Sequence, residues 1–238
     1  MLSILRKIKR NLIFLFLWLR AKLNIYRYGR NGVIFLLGTP WHGNIGDQAI
    51  ALAEEEFLND NCKKKIIEIP SQYILWYLKK WINIIGTSSI LIHGGGFIGT
   101  LWPEEDKMIK KILKTFKNNK IVILPQTIYF DEQEKYDKKQ YKYILDDCED
   151  VTICVREQYS YDVCCELKIS NVFLISDMVT YLKSDSFKRS NNFEKNKILL
   201  CLRSDKEKKF NSSVLNEIFE KNKKLHYEYT DTFVNRTI

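Results

Sequence analysis

Six short apolar runs in this chain each stop at residues able to bind or polarise a ligand. Residues 33–37 are followed by Gly38-Thr39-Pro40-Trp41-His42-Gly43-Asn44-Ile45-Gly46-Asp47, and residues 89–92 by His93-Gly94-Gly95-Gly96. Residues 121–124 lead into Pro125-Gln126-Thr127, residues 151–155 into Arg156-Glu157, and residues 172–175 into Ser176-Asp177. A sixth run, 198–202, meets Arg203-Ser204-Asp205. One polar strand end is ordinary; six together point to a lined binding cleft.

The residue types define the chemistry. Arg156 and Arg203 carry planar donors that fit carboxylates and phosphates, and a surface ion pair is the plainer fate of either. His42 and His93 flank glycines and belong to the side-chain type that titrates near neutrality. Each alone fits a hydrogen-bonded structural histidine better than a catalytic one. Gly94, Gly95 and Gly96 either let the backbone turn with positive φ or leave amides open to a ligand as a nest. Glu104 and Glu105 soon afterwards favour a polyhydroxyl ligand over a phosphate at that nest. Asp177 reads equally as a turn cap or a site acid. In the first loop, Asn44 and Asp47 are the remaining polar candidates, with Asp47 expected at the helix N-cap.

Several chemistries are disfavoured. The first loop spaces its glycines G-x4-G-x2-G, not G-x-G-x-x-G, and a carboxylate at the helix start repels a pyrophosphate. Glu68 stands about where a ribose-binding acid would, which keeps a small place for a dinucleotide. No glycine precedes a G-K-[ST], so a P-loop is excluded. Six cysteines without a C-x-x-C pair, and three histidines, assemble no zinc-type cluster, and reduced thiols are expected. The net charge of +9 favours anionic partners. Nucleic acid is not expected among them, since no basic patch is interleaved with aromatics.

The elements that must position these residues alternate β-branched runs with amphipathic stretches. Strands are expected at 33–37, 65–69, 89–92, 121–124, 151–155 and 172–175. Helices are expected at 47–59, 73–81, 104–116, 132–145 and 157–167, with Pro103 at the favoured first position of the third. Near-continuous apolar strands alternating with helices predict an α/β fold: a Rossmann-like parallel sheet covered on both faces. That domain spans 31–182. A polar linker at 183–196 follows, then the start of a second Rossmann-like unit at 197–238, with strand 198–202, helix 214–223 and a short strand at 227–229. This second unit is too short to bury a core of its own, so it leans on the first or is truncated.

Residues 1–30 form a separate basic and apolar segment. Its run Leu-Ile-Phe-Leu-Phe-Leu-Trp-Leu at 12–19 is too short to span a bilayer, which takes roughly 20 apolar residues. Basic residues flank it on both sides and no small-residue cleavage site follows. A helix lying on an anionic membrane surface and a helix packed on the domain are equally good readings.

At these same positions the chain resembles the polysaccharide pyruvyl transferase family. The segments that carry the resemblance are GTPWHGNIGDQAIALAEEEFL, ILIHGGGFIGTLWPEE, IVILPQTIYF, VREQYSYD, ISDMV and LLCLRSD, in order. Phe97 departs from the pattern, standing where a polar residue is expected. The resemblance implies two Rossmann-like domains arranged as in GT-B glycosyltransferases. It implies transfer of the enolpyruvyl unit of phosphoenolpyruvate to a sugar or lipid-linked glycan, giving a pyruvate ketal without metal or resident cofactor. Substrate contacts are expected at His42, Asn44, Asp47, His93, Gly94, Gly95, Gly96, Arg156, Asp177 and Arg203. The family's general-acid histidine lies in an R-x-H segment that is expected beyond residue 238, and His226 does not match it. The chain by itself is therefore expected to be inactive. A cytoplasmic setting follows, with the inner face of the plasma membrane within reach. Two other readings stand beside this one: a GT-B glycosyltransferase using a nucleotide sugar, and a non-catalytic membrane-surface partner in glycan assembly.

Overall fold

The computed structural model describes residues 2–131, 135–183, 197–201, 212–221 and 226–230. The chain divides into two compact units, one made of Met1–Trp41 with Ala49–Leu182, the other of His42–Gln48 with Lys183–Ile238.

The first unit is built on a seven-stranded parallel sheet. Its strands are β1 (Val33–Thr39), β2 (Lys65–Pro70), β3 (Ser89–Ile92), β4 (Gly95–Gly99), β5 (Lys120–Tyr129), β6 (Asp150–Val155) and β7 (Val172–Leu174). The order is β2-β1-β3-β5-β6-β7, with β4 paired to the far half of β5. The helices are α1 (Leu2–Tyr28), α2 (Ile45–Asn61), α3 (Ser71–Ile85), α4 (Pro103–Thr115), α5 (Lys135–Asp146) and α6 (Gln158–Glu166). This is the Rossmann-like α/β architecture that the apolar runs imply.

Side-chain alternation along each strand divides the core in two. Phe35, Leu37, Ile67, Ile69, Ile90 and Ile92 face a large cluster with residues of α1, α3, α4, α5 and α6. Leu36, Leu91 and Leu124 face the other way and meet Leu58 of α2. A long connecting helix between parallel strands is what such a sheet requires.

Two expectations about boundaries need correction. The segment Pro125-Gln126-Thr127 does not leave the sheet; β5 continues through it to Tyr129. The first half of β5 pairs with β3, and from Gln126 onward it pairs with β4, at Gly95↔Gln126, Ile98↔Ile128 and Gly99↔Tyr129. The strand changes neighbour at Pro125, which has no amide hydrogen to donate to either. Gly95 and Gly96 accordingly lie in a strand and not in a loop.

The second correction concerns the start of α2. The helix begins at Ile45, so Asn44 and not Asp47 is its cap. The Asn44 side-chain oxygen accepts from the Gly46 amide at 2.9 Å, and Asp47 sits in the first turn, where a carboxylate complements the helix dipole.

In the second unit, β8 (Lys197–Cys201) and β9 (His226–Thr230) pair in parallel, with α7 (Ser212–Lys221) between them in sequence. The 184–196 part of the expected linker lies outside the described residues. Among the described residues no helix is long and apolar enough to cross a membrane.

Candidate functional site

Parallel strands run the same way, so the residues just past β3, β6 and β7 and the part of β5 that follows Pro125 become neighbours. In the first unit they form one connected row of hydrogen bonds.

The row starts at His93, which follows β3 and is buried. Its Nδ1 lies 2.6 Å from Oε2 of Glu54, a fully buried carboxylate on α2. The other Glu54 oxygen accepts from the Gly94 amide at 2.7 Å. Two hydrogen bonds from the protein thus satisfy a carboxylate that burial would otherwise penalise heavily. A Cβ on Gly94 would fall 2.8 Å from the Pro125 carbonyl oxygen and 3.1 Å from that Glu54 oxygen, so a glycine is needed for this approach. With Nδ1 facing Glu54, Nε2 of His93 is buried without a hydrogen-bond partner among the described residues.

Gln126 links this pair to the rest. Its side-chain nitrogen donates to the His93 carbonyl at 2.6 Å, and its side-chain oxygen accepts from the Phe97 amide at 3.1 Å. Its own carbonyl accepts from the Arg156 amide at 3.2 Å. At the end of β6, Arg156 donates from Nε to the Thr127 hydroxyl at 2.8 Å and from Nη1 to Oδ2 of Asp177 at 2.6 Å. Thr127 in turn donates to Glu157 at 3.0 Å. Asp177 is a turn cap as well as the partner of Arg156: its Oδ1 accepts from the Val179 amide at 2.9 Å and caps a short 3-10 turn, Met178–Tyr181. Nη2 of Arg156 has no hydrogen-bond partner among the described residues, and it lies 3.5 Å from the point where Gly96 would carry a Cβ. Arg156 and Asp177 are each about a quarter exposed. The arrangement is a guanidinium fixed on two edges with its third directed past a glycine, a geometry able to meet a carboxylate or phosphate.

His42, Asn44 and Asp47, grouped with the other unit, lie in the loop before α2, at its cap and in its first turn, and they bond among themselves. His42 Nδ1 accepts from the Asn44 amide at 3.4 Å, its carbonyl accepts from the Gln48 side chain at 2.9 Å, and its Nε2 stands 3.6 Å from Asp47. Arg203 lies outside the described residues. Of the ten candidates, the fold therefore brings His93, Gly94, Gly95, Gly96, Arg156 and Asp177 into one row.

Glu54, Gln126 and Thr127 complete that row and were not among the ten. Glu54 had a readable signal. It falls on the stripe of Ile50, Ala53 and Leu58, all buried, so an acid there must be buried and must have a partner. Among the described residues no group of three or more His, Cys, Asp or Glu side chains could hold a metal ion. Burial pushes the Cys164 thiol up to about 12 and the Cys148 thiol up to about 11. The five cysteines described in full are free.

A parallel sheet flanked by helices on both faces defines an α/β domain of the Rossmann-like class. Within that class the chain belongs to the polysaccharide pyruvyl transferase family, whose sequence profile matches residues 44–236. It is 33% identical over 207 residues to General stress protein 30 of Bacillus subtilis (strain 168), covering 85% of this chain and 59% of that protein. It is 27% identical over 156 residues to Pyruvyl transferase 1 of Schizosaccharomyces pombe (strain 972 / ATCC 24843), covering 63% of this chain and 38% of that protein. The chain thus spans about half the length of the curated relatives it matches.

Proposed function

We propose that the protein to which this chain belongs is a transferase that moves the enolpyruvyl unit of phosphoenolpyruvate onto a sugar of a surface glycan, leaving a pyruvate ketal. Family membership supports the reaction class, and the observation that carries the residue-level reading is the held guanidinium of Arg156. The donor bears a carboxylate and a phosphate, and an arginine with one free edge is suited to grip either. Asp177 and Thr127 fix that guanidinium before substrate arrives, so little orientational entropy is lost on binding.

The chemistry balances without a resident cofactor. A general acid protonates the methylene carbon of the donor, and the adjacent carbon becomes electrophilic. One sugar hydroxyl adds there and inorganic phosphate leaves. A second hydroxyl of the same sugar then closes the ketal, and the two hydroxyl protons pass to the phosphate and to the spent acid. In this reading the protonating histidine belongs to the R-x-H segment and to no residue of this chain. His226 on β9 is not assigned the role. The first unit supplies the anion grip and the polyhydroxyl contacts, with the acceptor a polymeric or lipid-linked glycan at the cytoplasmic face of the membrane.

The test is product analysis with the intact protein. Incubation with phosphoenolpyruvate and an acceptor glycan should add one pyruvyl unit to the sugar for each phosphate released. Sugar transfer from a nucleotide donor, with phosphoenolpyruvate untouched, would replace this reading with that of a GT-B glycosyltransferase.

A further inference from the structure

The strongest unassigned feature is α1, which lies wholly before the family match that starts at residue 44. Its 27 residues extend over about 40 Å at 1.5 Å per residue. One face is committed to the fold: Phe14 and Ala21 are buried in the main core, and Ile13, Leu17 and Ile25 pack against it. The opposite face is not committed. Leu5, Ile8, Leu12, Phe16, Leu19 and Leu23 recur at helical spacing, and each is at least half exposed. Leu23 is 65% exposed and Phe16 63%, values that a helix folded only for its own domain would not leave on apolar side chains.

Charge is concentrated at the same place. Of the 38 basic and 29 acidic residues, the first 32 positions hold eight basic and no acidic ones, leaving 30 against 29 in the remainder. Nearly the whole net charge of +9 thus belongs to α1 and the turn after it. At about 100° per residue, Lys9, Arg20 and Arg27 border the apolar stripe on one side and Lys22 on the other.

Beside the stripe, α1 and α3 line an open groove of about 600 Å³, whose walls include Leu15, Trp18, Ile25 and Ile84. Two ammonium groups stand at it. Lys22 lies 3.8 Å from the centre of the Trp18 ring, and Lys80 5.1 Å from that of Phe14. Neither pairs with a carboxylate among the described residues. Arg30, the third cation, is already spent on the carbonyls of Ile84, Ile85 and Asn83. An apolar trough with two available ammonium groups fits an anionic amphiphile: a phosphate between the lysines and a hydrocarbon chain along the trough.

We propose that this face of α1 docks the protein on an anionic lipid bilayer, with the stripe seated in the headgroup region and a lipid phosphate held by Lys22 and Lys80. Basic residues bordering an apolar stripe, with no acid in the segment, complement such a surface and suit no neutral or basic partner. The site stands independently of the transfer reaction.

The test is sedimentation of the full chain with phosphatidylcholine vesicles, with and without phosphatidylglycerol. Binding is expected only with phosphatidylglycerol and should weaken as salt is raised. Leu12→Ser with Leu19→Ser, and separately Lys22→Gln with Lys80→Gln, should each lower the partition coefficient about tenfold or more. Lys111→Gln with Lys114→Gln, two exposed lysines of α4, should leave it unchanged. All three pairs alter exposed positions, and far-ultraviolet circular dichroism checks that each still folds. Absence of vesicle binding would overturn the proposal, and so would binding that both the leucine and the lysine pairs leave intact. Equal losses in the α4 pair would overturn the assignment to the groove. A concentration-dependent dimer dispersed by the leucine pair, without vesicle binding, would show instead that the stripe buries against a second copy.

Discussion

The guanidinium of Arg156 is tied to Asp177 by a 2.6 Å hydrogen bond from Nη1, across the ends of two adjacent strands. Arg156 follows β6 and Asp177 lies three residues past β7, so the parallel pairing of those strands brings the two together. Asp177 is also anchored by the Val179 amide, which holds the carboxylate in place while it holds the arginine. Asp177→Asn keeps the cap oxygen and removes the charge. In the intact enzyme we expect it to raise KM for phosphoenolpyruvate by about tenfold, the cost of one charge-assisted bond of about 1.5 kcal/mol. The melting temperature should change little, and steady-state kinetics beside a thermal melt would check both.

The His93–Glu54 pair is expected to behave as a buried unit. Glu54→Ala leaves His93 and the Gly94 amide without their partner in a site closed to water. Urea denaturation should show a loss of about 3–5 kcal/mol, the range for removing one member of a buried pair. A variant as stable as the parent would mean the carboxylate is not seated as described.

The glycines of the triplet should differ in their response. At Gly94 an added methyl meets a backbone carbonyl at 2.8 Å, and Gly94→Ala should cost about 1–3 kcal/mol of stability through overpacking. At Gly96 the nearest atom is Nη2 of Arg156 at 3.5 Å, an ordinary contact distance. Gly96→Ala should therefore fold normally while obstructing whatever approaches that guanidinium. Melting temperature and donor KM, measured on both variants, separate the two effects.

Glu68 provides a pH test of folding. Burial, followed by the repulsion of Glu55, raises its pKa above the ordinary 4.5. A carboxyl raised in the folded state contributes stability that is complete below its unfolded value and lost as pH rises through the folded one. Glu68→Gln should therefore be more stable than the parent at neutral pH, with the difference shrinking as pH falls towards 4.5. Melting curves across that range measure it. A difference that grows towards acid would have the wrong sign.

Thiol accessibility should follow burial. Cys165 is exposed, whereas its neighbour Cys164 is buried with its thiol pushed up to about 12. Iodoacetamide at pH 8 should label Cys165 and spare Cys164 in the folded chain, and label both in urea. Peptide mass mapping reads this directly.

Much of the fold was legible because parallel strands buried on both faces leave near-continuous apolar runs, such as Ile90–Ile92. The exceptions have local causes. Pro125 reads as a stop, since it cannot donate to a ladder; only the change of partner from β3 to β4 lets β5 run on through it. Ile45 and Gly46 are weak helix formers, which drew the expected start of α2 two residues late and shifted the cap from Asn44 to Asp47. Of the two readings of residues 1–30, packing on the domain accounts for one face of α1, while its other face is apolar and exposed. Among the site candidates, Arg156 and Asp177 were each readable as residues past a strand, and the pairing of β6 with β7 makes them adjacent. The burial of Glu54 was signalled by its place on the apolar stripe of α2, but its partner was not, because the contact joins a helix to a strand end 39 residues away.

The most direct test of the account is acceptor-dependent release of phosphate from phosphoenolpyruvate, compared between the intact protein and its Arg156→Gln variant. Release should require the acceptor glycan, and kcat/KM should fall by about 10²–10³ in the variant, with the melting temperature nearly unchanged. Equal rates in the two proteins would contradict the role given to the row of strand-end residues. Absence of acceptor-dependent release from the intact protein would contradict the pyruvyl transfer itself.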